Sequence, residues 1–202
     1  MTISVVLVDD QALVRGALAA LLDLELDLTV VGEAASGDEV LALVRRTRPD
    51  VVLMDVDMPG MDGIEATALV RAEFPATQVL IVTTFGRPGY LRKALLAGAA
   101  GFVVKDTPAR QLADAVRRVH GGMRVVDPAL SADSLIAGES PLTPRETEVL
   151  RAAADGGSNS DIAKAVHLSE GTVRNHLSSA IGKTMARNRA DAVRIAEESG
   201  WL

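Results

Sequence analysis

Residues 51–55 read Val-Val-Leu-Met-Asp, an unbroken run of four apolar residues that ends at an acidic side chain. A short run of this kind, rich in β-branched residues, is typical of a strand that is buried on both faces of a sheet. The pattern recurs along the first 120 residues. The predicted strands are 3–8, 30–31, 51–54, 79–82 and 101–104. Because each strand is followed by a helical pattern, the sequence predicts an α/β doubly wound fold with a five-stranded parallel sheet.

The segments between the strands carry apolar residues three or four positions apart, which is the period of an amphipathic helix. Residues 36–39, Ser-Gly-Asp-Glu, form a capping-box start, and Thr107-Pro108 places proline at a first helical position. Residues 22–28 alternate like a strand, but the strand–helix rhythm favours a helix end and loop there. The predicted helices are 11–22, 36–47, 64–73, 88–97 and 107–120.

The composition excludes several classes of protein. The 202 residues contain no cysteine, which rules out a disulfide scaffold, Cys-ligated zinc, an iron–sulfur cluster and a thiol nucleophile. Aromatic residues make up 2%, which argues against a platform for stacking single-stranded bases. The most apolar uncharged run, residues 94–104, is far shorter than the roughly 20 residues of a membrane span. The first residues lack the basic region of a secretory signal, so we expect a cytoplasmic protein without membrane insertion.

The pattern changes after residue 120. Residues 121–140 contain prolines, glycines and polar breaks, which predicts a linker. Only helical patterns follow, and the first of them opens with Thr143-Pro144-Arg145-Glu146, a capping box with proline in the first turn. We therefore expect an α/β domain over residues 1–120, a linker over residues 121–140 and an all-α domain over residues 141–202.

Polar side chains follow the apolar strands at the point where each strand ends. They are Asp9, Asp10, Asp55, Thr83 and Lys105. Because the carboxyl ends of parallel strands meet at one edge of the sheet, we expect these side chains to lie close together. Carboxylate oxygens are the ligands that Mg²⁺ prefers, and a lysine and a hydroxyl suit an anion beside it. The set predicts a site for a phosphoryl group on a carboxylate.

At these positions the chain resembles the receiver domain of bacterial two-component response regulators. The resemblance implies a flavodoxin-like fold and a role for Asp55 as the residue that accepts phosphate from a sensor histidine kinase. It also implies that Asp9, Asp10 and Asp55, with the backbone carbonyl of Asp57, bind Mg²⁺. The motifs that carry the resemblance are Val8-Asp9-Asp10, Met54 to Gly63, Val82-Thr83-Thr84 and Val104-Lys105.

The same resemblance implies roles for three further residues. Lys105 would pair with the phosphoryl group and Thr83 would donate a hydrogen bond to it. Phe102, three residues before Lys105, falls at the aromatic switch position of the family. Its position in an apolar strand fits a plain core phenylalanine equally well.

A phosphatase is the alternative for the same acidic motif. Asp55-Val56-Asp57 after an apolar strand also begins the DxD motif of haloacid-dehalogenase-type phosphatases. That family continues with threonine, whereas Met58-Pro59 follows here, and its pattern has no place for Asp9 and Asp10. The receiver interpretation is therefore favoured, and we expect no enzyme.

Residues 162–183 predict two helices joined by a tight turn. Val173, Leu177 and Ile181 recur four residues apart and fall on one buried stripe of the second helix. Arg174, Asn175 and Ser178 lie beside or opposite that stripe. A polar face that carries arginine suits a helix in the DNA major groove, although a small bundle with a solvated face has the same pattern.

A second resemblance favours DNA binding. The segments 142–150, 161–163 and 168–177 look like the helix-turn-helix of the LuxR group, which together with a receiver is the NarL/FixJ architecture. This resemblance implies a transcription regulator that forms a homodimer on phosphorylation and binds double-stranded promoter DNA. Residues 84–90 resemble the desaturase-regulating subgroup, and envelope-stress regulators are the alternative. The predicted DNA-binding residues are Thr172, Arg174, Asn175, Ser178, Lys183 and Arg189.

Two questions stay open at the level of sequence. The chain could be a protein-binding adaptor that carries a receiver and never binds DNA. In addition, Ala192, Val193 and Ala196 recur at helical spacing near the end of the chain, and Trp201 follows them. These apolar residues could pair two DNA-bound modules or pack inside one module.

Overall fold

A computed structural model describes residues 2–84, 88–127, 130 and 140–202 of the chain. These residues form two compact units. Among the described residues, the first unit comprises 2–84, 90–127 and 130, and the second comprises 88–89 and 140–202. Much of the predicted linker and residues 85–87 of the predicted subgroup loop lie outside the described residues.

The first unit is built on a parallel sheet with the strand order β2-β1-β3-β4-β5-β6. The strands are β1 Ile3–Val8, β2 Leu28–Ala34, β3 Val51–Met54, β4 Gln78–Thr83, β5 Gly101–Val104 and β6 Val125–Val126. The doubly wound class is confirmed, but the count of five strands was wrong. Strand β6 pairs with β5 inside the segment that was predicted to be linker. Two residues are too short to show a strand pattern in sequence.

Helices follow the strands of this sheet in turn along the chain. Their bounds are α1 Ala12–Leu22, α2 Gly37–Thr47, α3 Gly63–Glu73, α4 Pro88–Leu96 and α5 Ala109–His120. Each predicted helix is found within two residues of its expected ends. The alternating stretch 22–28 contains the end of α1, a turn segment over 23–27 and the first residue of β2, so the predicted helix end and loop are found, and Leu24 and Leu26 in the loop are exposed.

The sheet has an apolar core on each face, which explains the unbroken apolar strands. Alternate residues of one strand belong to different clusters, so that Val6 and Val8 pack on one side while Val5 and Leu7 pack on the other. All four are at most 2% exposed. Phe102 is fully buried in the cluster that contains Val6 and Val8.

Register places two strand ends side by side. Val8, the last residue of β1, pairs with Met54, the last residue of β3, so that Asp9 and Asp55 follow at the same level of the sheet. The strand order reverses direction at this pair, which is where open α/β sheets form a ligand crevice. The loop after β3 requires glycine at position 63, because a Cβ there would lie 1.7 Å from the carbonyl oxygen of Asp55.

The second unit consists of short helices around one apolar core. They are α6 Pro144–Ala154, α7 Asn159–Ala165, α8 Glu170–Lys183 and α9 Arg189–Glu198. The predicted capping box joins Thr143 and Glu146, and a second one joins Ser158 and Asp161. His167 adopts a left-handed backbone conformation (φ 53°) in the tight turn between α7 and α8.

The apolar repeat of the last helix belongs to this core. Ala192 and Ala196 are fully buried, Val193 is 9% exposed, and all three pack with α6 and α8 residues. Trp201 is half-buried against the same cluster. Of the two interpretations that the sequence left open, packing inside one module is the one that the structure supports.

None of the helices that the structure describes is long and apolar enough to cross a membrane.

Candidate functional site

An acidic pocket lies at the carboxyl edge of the sheet. Asp9 and Asp10 follow β1 and Asp55 follows β3, and each offers a carboxylate oxygen within 4.8 Å of the other two. Asp9 and Asp55 are each 3% exposed, whereas Asp10 is open to solvent. Three carboxylates at such distances repel one another, and a cation between them relieves that repulsion. Their oxygen atoms form a donor set that fits a divalent cation.

Lys105 carries the positive charge of the pocket. Its ammonium group lies 2.7 Å from Oδ2 of Asp9 and 2.8 Å from Oδ2 of Asp55. The residue follows β5, and its backbone N–H donates to the carbonyl of Thr83, which fixes it at the end of β4. One ammonium group is thus shared by two buried carboxylates, and the pocket keeps a net negative charge.

Burial and charge pairing together set the ionisation of this pocket. Burial raises the pKa of Asp55; the hydrogen bond and charge of Lys105 oppose this shift, and Asp9 adds to it, leaving the pKa of Asp55 above its usual value. Burial works to lower the pKa of Lys105, but the pairs with Asp55 and Asp9 prevail and raise it. The lysine therefore stays protonated beside a carboxylate that gains from any added positive charge.

Thr83 brings a hydroxyl without a partner to the same edge. The side chain is fully buried, and its oxygen makes no hydrogen bond with the residues that the structure describes. A buried hydroxyl left unpaired is costly unless another group satisfies it. Thr83 ends β4 beside Val104, the residue before Lys105, so that this hydroxyl and the ammonium group belong to neighbouring strand ends.

Two predicted residues stand apart from the carboxylate cluster. The Asp57 side chain is exposed and accepts a hydrogen bond from the Tyr90 hydroxyl at 2.9 Å, and its carboxylate is not one of the three that lie within 4.8 Å. Phe102 is fully buried among core residues that include Val56 and Met58. The structure therefore brings together Asp9, Asp10, Asp55 and Lys105.

Helix α8 presents the polar face predicted in the second unit. Arg174, Asn175 and Ser178 are exposed, and Thr172 is partly exposed at the start of the helix. The predicted stripe needs one correction. Val173 and Leu177 are buried as expected, but Ala180 is the third fully buried residue and Ile181 is only half-buried. Ala180 lies closer to Val173 around the helix than Ile181 does, because 3.6 residues make a turn.

Two predicted DNA-binding residues make contacts inside the unit. Lys183 forms an ion pair with Glu146 at 2.7 Å, and the guanidinium of Arg189 donates to the carbonyl of Gly157 at 2.7 Å. Arg189 also lines a shallow hollow with Arg174 and Ser178, whose volume is about 380 Å³. The hollow gathers three of the six predicted residues along one side of α8.

Glu146 is the residue whose full role the sequence did not indicate. The capping box accounts for its bond to the Thr143 N–H, at 2.7 Å. The structure adds a hydrogen bond from the Ser179 hydroxyl at 2.6 Å and the ion pair with Lys183. Burial works to raise the pKa of Glu146, but the bonds from Lys183, Ser179 and Thr143 lower it to about 2. This carboxylate therefore holds α8 against the start of α6.

Comparisons with known proteins identify the family of each unit. Residues 5–117 match the family of response regulator receiver domains, and residues 140–196 match the luxR family of bacterial regulatory proteins. The transcriptional regulatory proteins YvfU and DesR of Bacillus subtilis (strain 168) are similar to the chain. YvfU is 44% identical over 194 residues, which are 96% of each chain. DesR is 40% identical over 200 residues, which are 99% of each chain.

Solved structures give the same result. The crystal structure of ChrA, a response regulator in a heme-sensing two-component system, is 34% identical with a TM-score of 0.61. The match covers 100% of this chain and 99% of that one. The chain belongs to the response regulators that join a receiver domain to a luxR-type regulatory domain. This confirms the family predicted from sequence and excludes the phosphatase alternative, since these families are regulators rather than enzymes.

Replacing Lys105 should strengthen binding of Mg²⁺. In Lys105→Met the ammonium group no longer neutralises Asp9 and Asp55, so a divalent cation gains more by entering the pocket. We expect the affinity for Mg²⁺ to rise about tenfold, equivalent to about 1.4 kcal/mol, in calorimetric titrations at pH 8. Lys164→Met, which removes an exposed lysine from α7, changes the net charge equally and should leave the affinity unchanged. Weaker binding in Lys105→Met would contradict this view of the pocket.

Acid should destabilise the second unit through Glu146. The pKa of this carboxylate is about 2 in the folded chain and about 4.5 when unfolded, so its contribution is present above the unfolded value and is lost as pH falls toward 2. The loss amounts to about 3 kcal/mol. Urea unfolding followed by Trp201 fluorescence measures it. Glu146→Gln should be less stable at pH 7 and should lack this part of the acid dependence.

Glu170→Gln is the matched control for this measurement, because Glu170 is an exposed acidic residue at the start of α8. Its acid dependence should match that of the wild type. An equally flat pH profile for both variants would show that Glu146 does not carry the effect.

Proposed function

We propose that Asp55 of this regulator accepts a phosphoryl group from a sensor histidine kinase and that the modified chain dimerises and binds promoter DNA. The observation that carries the proposal is the pocket around Asp55. An ammonium group lies 2.8 Å from its carboxylate, and two further carboxylates lie within 4.8 Å. The next strand ends in a buried hydroxyl that has no partner among the described residues. In the transfer, a carboxylate oxygen of Asp55 forms the new bond to phosphorus as the bond to the kinase's histidine nitrogen breaks.

Mg²⁺ is the cofactor that this proposal requires. The carboxylates of Asp9, Asp10 and Asp55, with the backbone carbonyl of Asp57, would hold it. When bound, the ion neutralises negative charge on the phosphoryl oxygens. Asp10 is the exposed member of the set and the one open to an arriving ion, while Asp9 is already paired with Lys105.

Lys105 and Thr83 are positioned to receive the phosphoryl group once Asp55 carries it. The ammonium group would pair with a phosphoryl oxygen, and the Thr83 hydroxyl would gain the partner that it lacks. Thr83 ends β4, directly before the segment that leads to α4, so its movement would alter that face of the unit. Phe102 lies in β5, the strand that pairs with β4, and its buried side chain would adjust to the movement of Thr83. Phosphate thus acts by favouring one of two conformations of the chain.

Promoter DNA is the partner proposed for helix α8. Arg174, Asn175 and Ser178 form an exposed polar face, and Thr172 lies at the helix start where DNA phosphates are commonly bound. Lys183 and Arg189 would contact the DNA backbone from their positions beside this face. The proposal places the protein in the cytoplasm, where promoter DNA is found.

We expect dimerisation because one DNA-binding unit discriminates too weakly between DNA sequences. A good bidentate contact from Arg174 discriminates against a wrong base by about 1–3 kcal/mol. That is too small for selecting a promoter from a genome, and two modules on two half-sites would roughly double it. Dimerisation driven by phosphorylation raises the effective concentration of the second module without a new DNA contact.

The acceptor can be identified by labelling. Asp55→Ala should abolish incorporation of phosphate from a small phosphodonor in the presence of Mg²⁺, because the attacking oxygen is lost. Asp57→Ala should still be labelled, because the backbone carbonyl is the proposed ligand and alanine keeps it. Intact-mass spectrometry measures the label. Equal labelling of wild type and Asp55→Ala would refute the assignment.

Arg174 should determine sequence-specific binding. Arg174→Ala removes the proposed base contact, so affinity for the operator should fall about tenfold or more per module, while affinity for random DNA falls much less. Gel-shift assays with phosphorylated chain and a fragment upstream of its own operon measure both. Footprinting should show two half-sites protected together, more strongly after phosphorylation. A phosphorylated chain that shifts no promoter fragment would favour the adaptor alternative.

A further inference from the structure

A hydrogen bond joins helix α4 to the loop that follows the acceptor strand. The Tyr90 hydroxyl, in the first turn of α4, donates to Oδ1 of Asp57 at 2.9 Å. Asp57 lies two residues after Asp55, and Tyr90 lies seven residues after Thr83. The bond therefore connects the two chain segments that lead away from the phosphorylation pocket.

Both ends of this bond are anchored in the same core. Asp57 is exposed, but its neighbours Val56 and Met58 are buried at 2% and 8% exposure. The Val56 N–H also donates to Oδ1 of Asp55 at 2.8 Å, so the loop is tied directly to the acceptor. Tyr90 is half-buried and packs against the cluster that contains Val56 and Met58. A movement of the loop relative to α4 must change the distance between the two side chains.

A phosphoryl group on Asp55 would act on both ends. It acts together with Mg²⁺, which the backbone carbonyl of Asp57 would help to hold, so the loop end of the bond would shift. It also offers a partner to the Thr83 hydroxyl, which has none among the described residues, and any shift of Thr83 is passed along the chain toward α4. Each effect strains a hydrogen bond that spans from the loop to the helix.

We propose that the bond between Tyr90 and Asp57 is a latch that forms in the unphosphorylated chain and opens when Asp55 carries a phosphoryl group. Tyr90 is then a positioning residue that acts on Asp55 through the loop. This inference rests on the proposed function of Asp55. Because the latch stabilises only the unmodified conformation, removing it favours the modified one.

Tyr90→Phe is the direct variant, because it keeps the ring in the core and removes only the hydroxyl. Beryllofluoride with Mg²⁺ serves as an equilibrium mimic of the phosphoryl group, and the ¹⁹F signal of the bound mimic measures its affinity. One hydrogen bond to a charged acceptor corresponds to an affinity gain of about tenfold. Asp57→Ala should also raise the affinity, and the double variant should gain no more than the larger single effect. Additive effects, or no gain in Tyr90→Phe, would overturn the latch.

A second measurement observes the bond itself. Tyr90 is the sole tyrosine of the sequence, so full-length chain labelled with 3-fluorotyrosine gives one ¹⁹F resonance. Beryllofluoride with Mg²⁺ should shift this resonance, and Asp57→Ala should produce a shift of the same sign without the mimic. A bound mimic with an unmoved tyrosine resonance would overturn the latch alone. Failure of the wild type both to bind the mimic and to label at Asp55 would instead overturn the proposed function, and the latch with it.

Discussion

The pocket depends on the ion pairs that the Lys105 ammonium group forms with Asp9 and Asp55. Burying two carboxylates side by side is costly, and the ammonium group between them offsets part of that cost. The pairing joins the ends of β1, β3 and β5, so the charge balance of the site also fixes three strand ends relative to one another. The carboxylates of this pocket therefore repel one another. A group that adds positive charge or forms a hydrogen bond with the Thr83 hydroxyl would stabilise it.

The sequence predicted this part of the molecule well because one constraint produces both the fold and the site. Strands buried on both faces must be wholly apolar, so the polar residue that ends each run is conspicuous, and parallel strands bring these residues to one edge. Asp9, Asp10, Asp55 and Lys105 were found together for this reason. The helix starts were readable only in part. The capping box predicted at Thr143 is present, whereas Ser36 makes no side-chain capping bond and Pro108 precedes the first residue of α5 instead of occupying it.

Contacts between distant segments could not be read in the same way. Strand β6 has two residues, which are too few to show the two-residue alternation of a strand. It forms because Val125 and Val126 pair with the edge of β5. The bond between Tyr90 and Asp57 spans 33 residues and leaves no local pattern. Ile181 was assigned to the buried stripe by its four-residue spacing, whereas 3.6 residues per turn bring Ala180 closer to Val173 around the helix. For β6 and for the Tyr90–Asp57 bond, tertiary packing and not propensity decides the outcome.

The two units show how a buried charge in a structural role differs from one that is ready to react. Glu146 accepts bonds from Thr143, Ser179 and Lys183, and these bonds hold its pKa at about 2. Asp55 is buried to a similar degree, yet its pKa is raised, and the neighbouring strand ends in a hydroxyl that none of the described residues pairs with. A carboxylate with every contact satisfied fixes a helix in place. One whose surroundings remain unsatisfied gains most from a new group, and that difference separates Glu146 from Asp55.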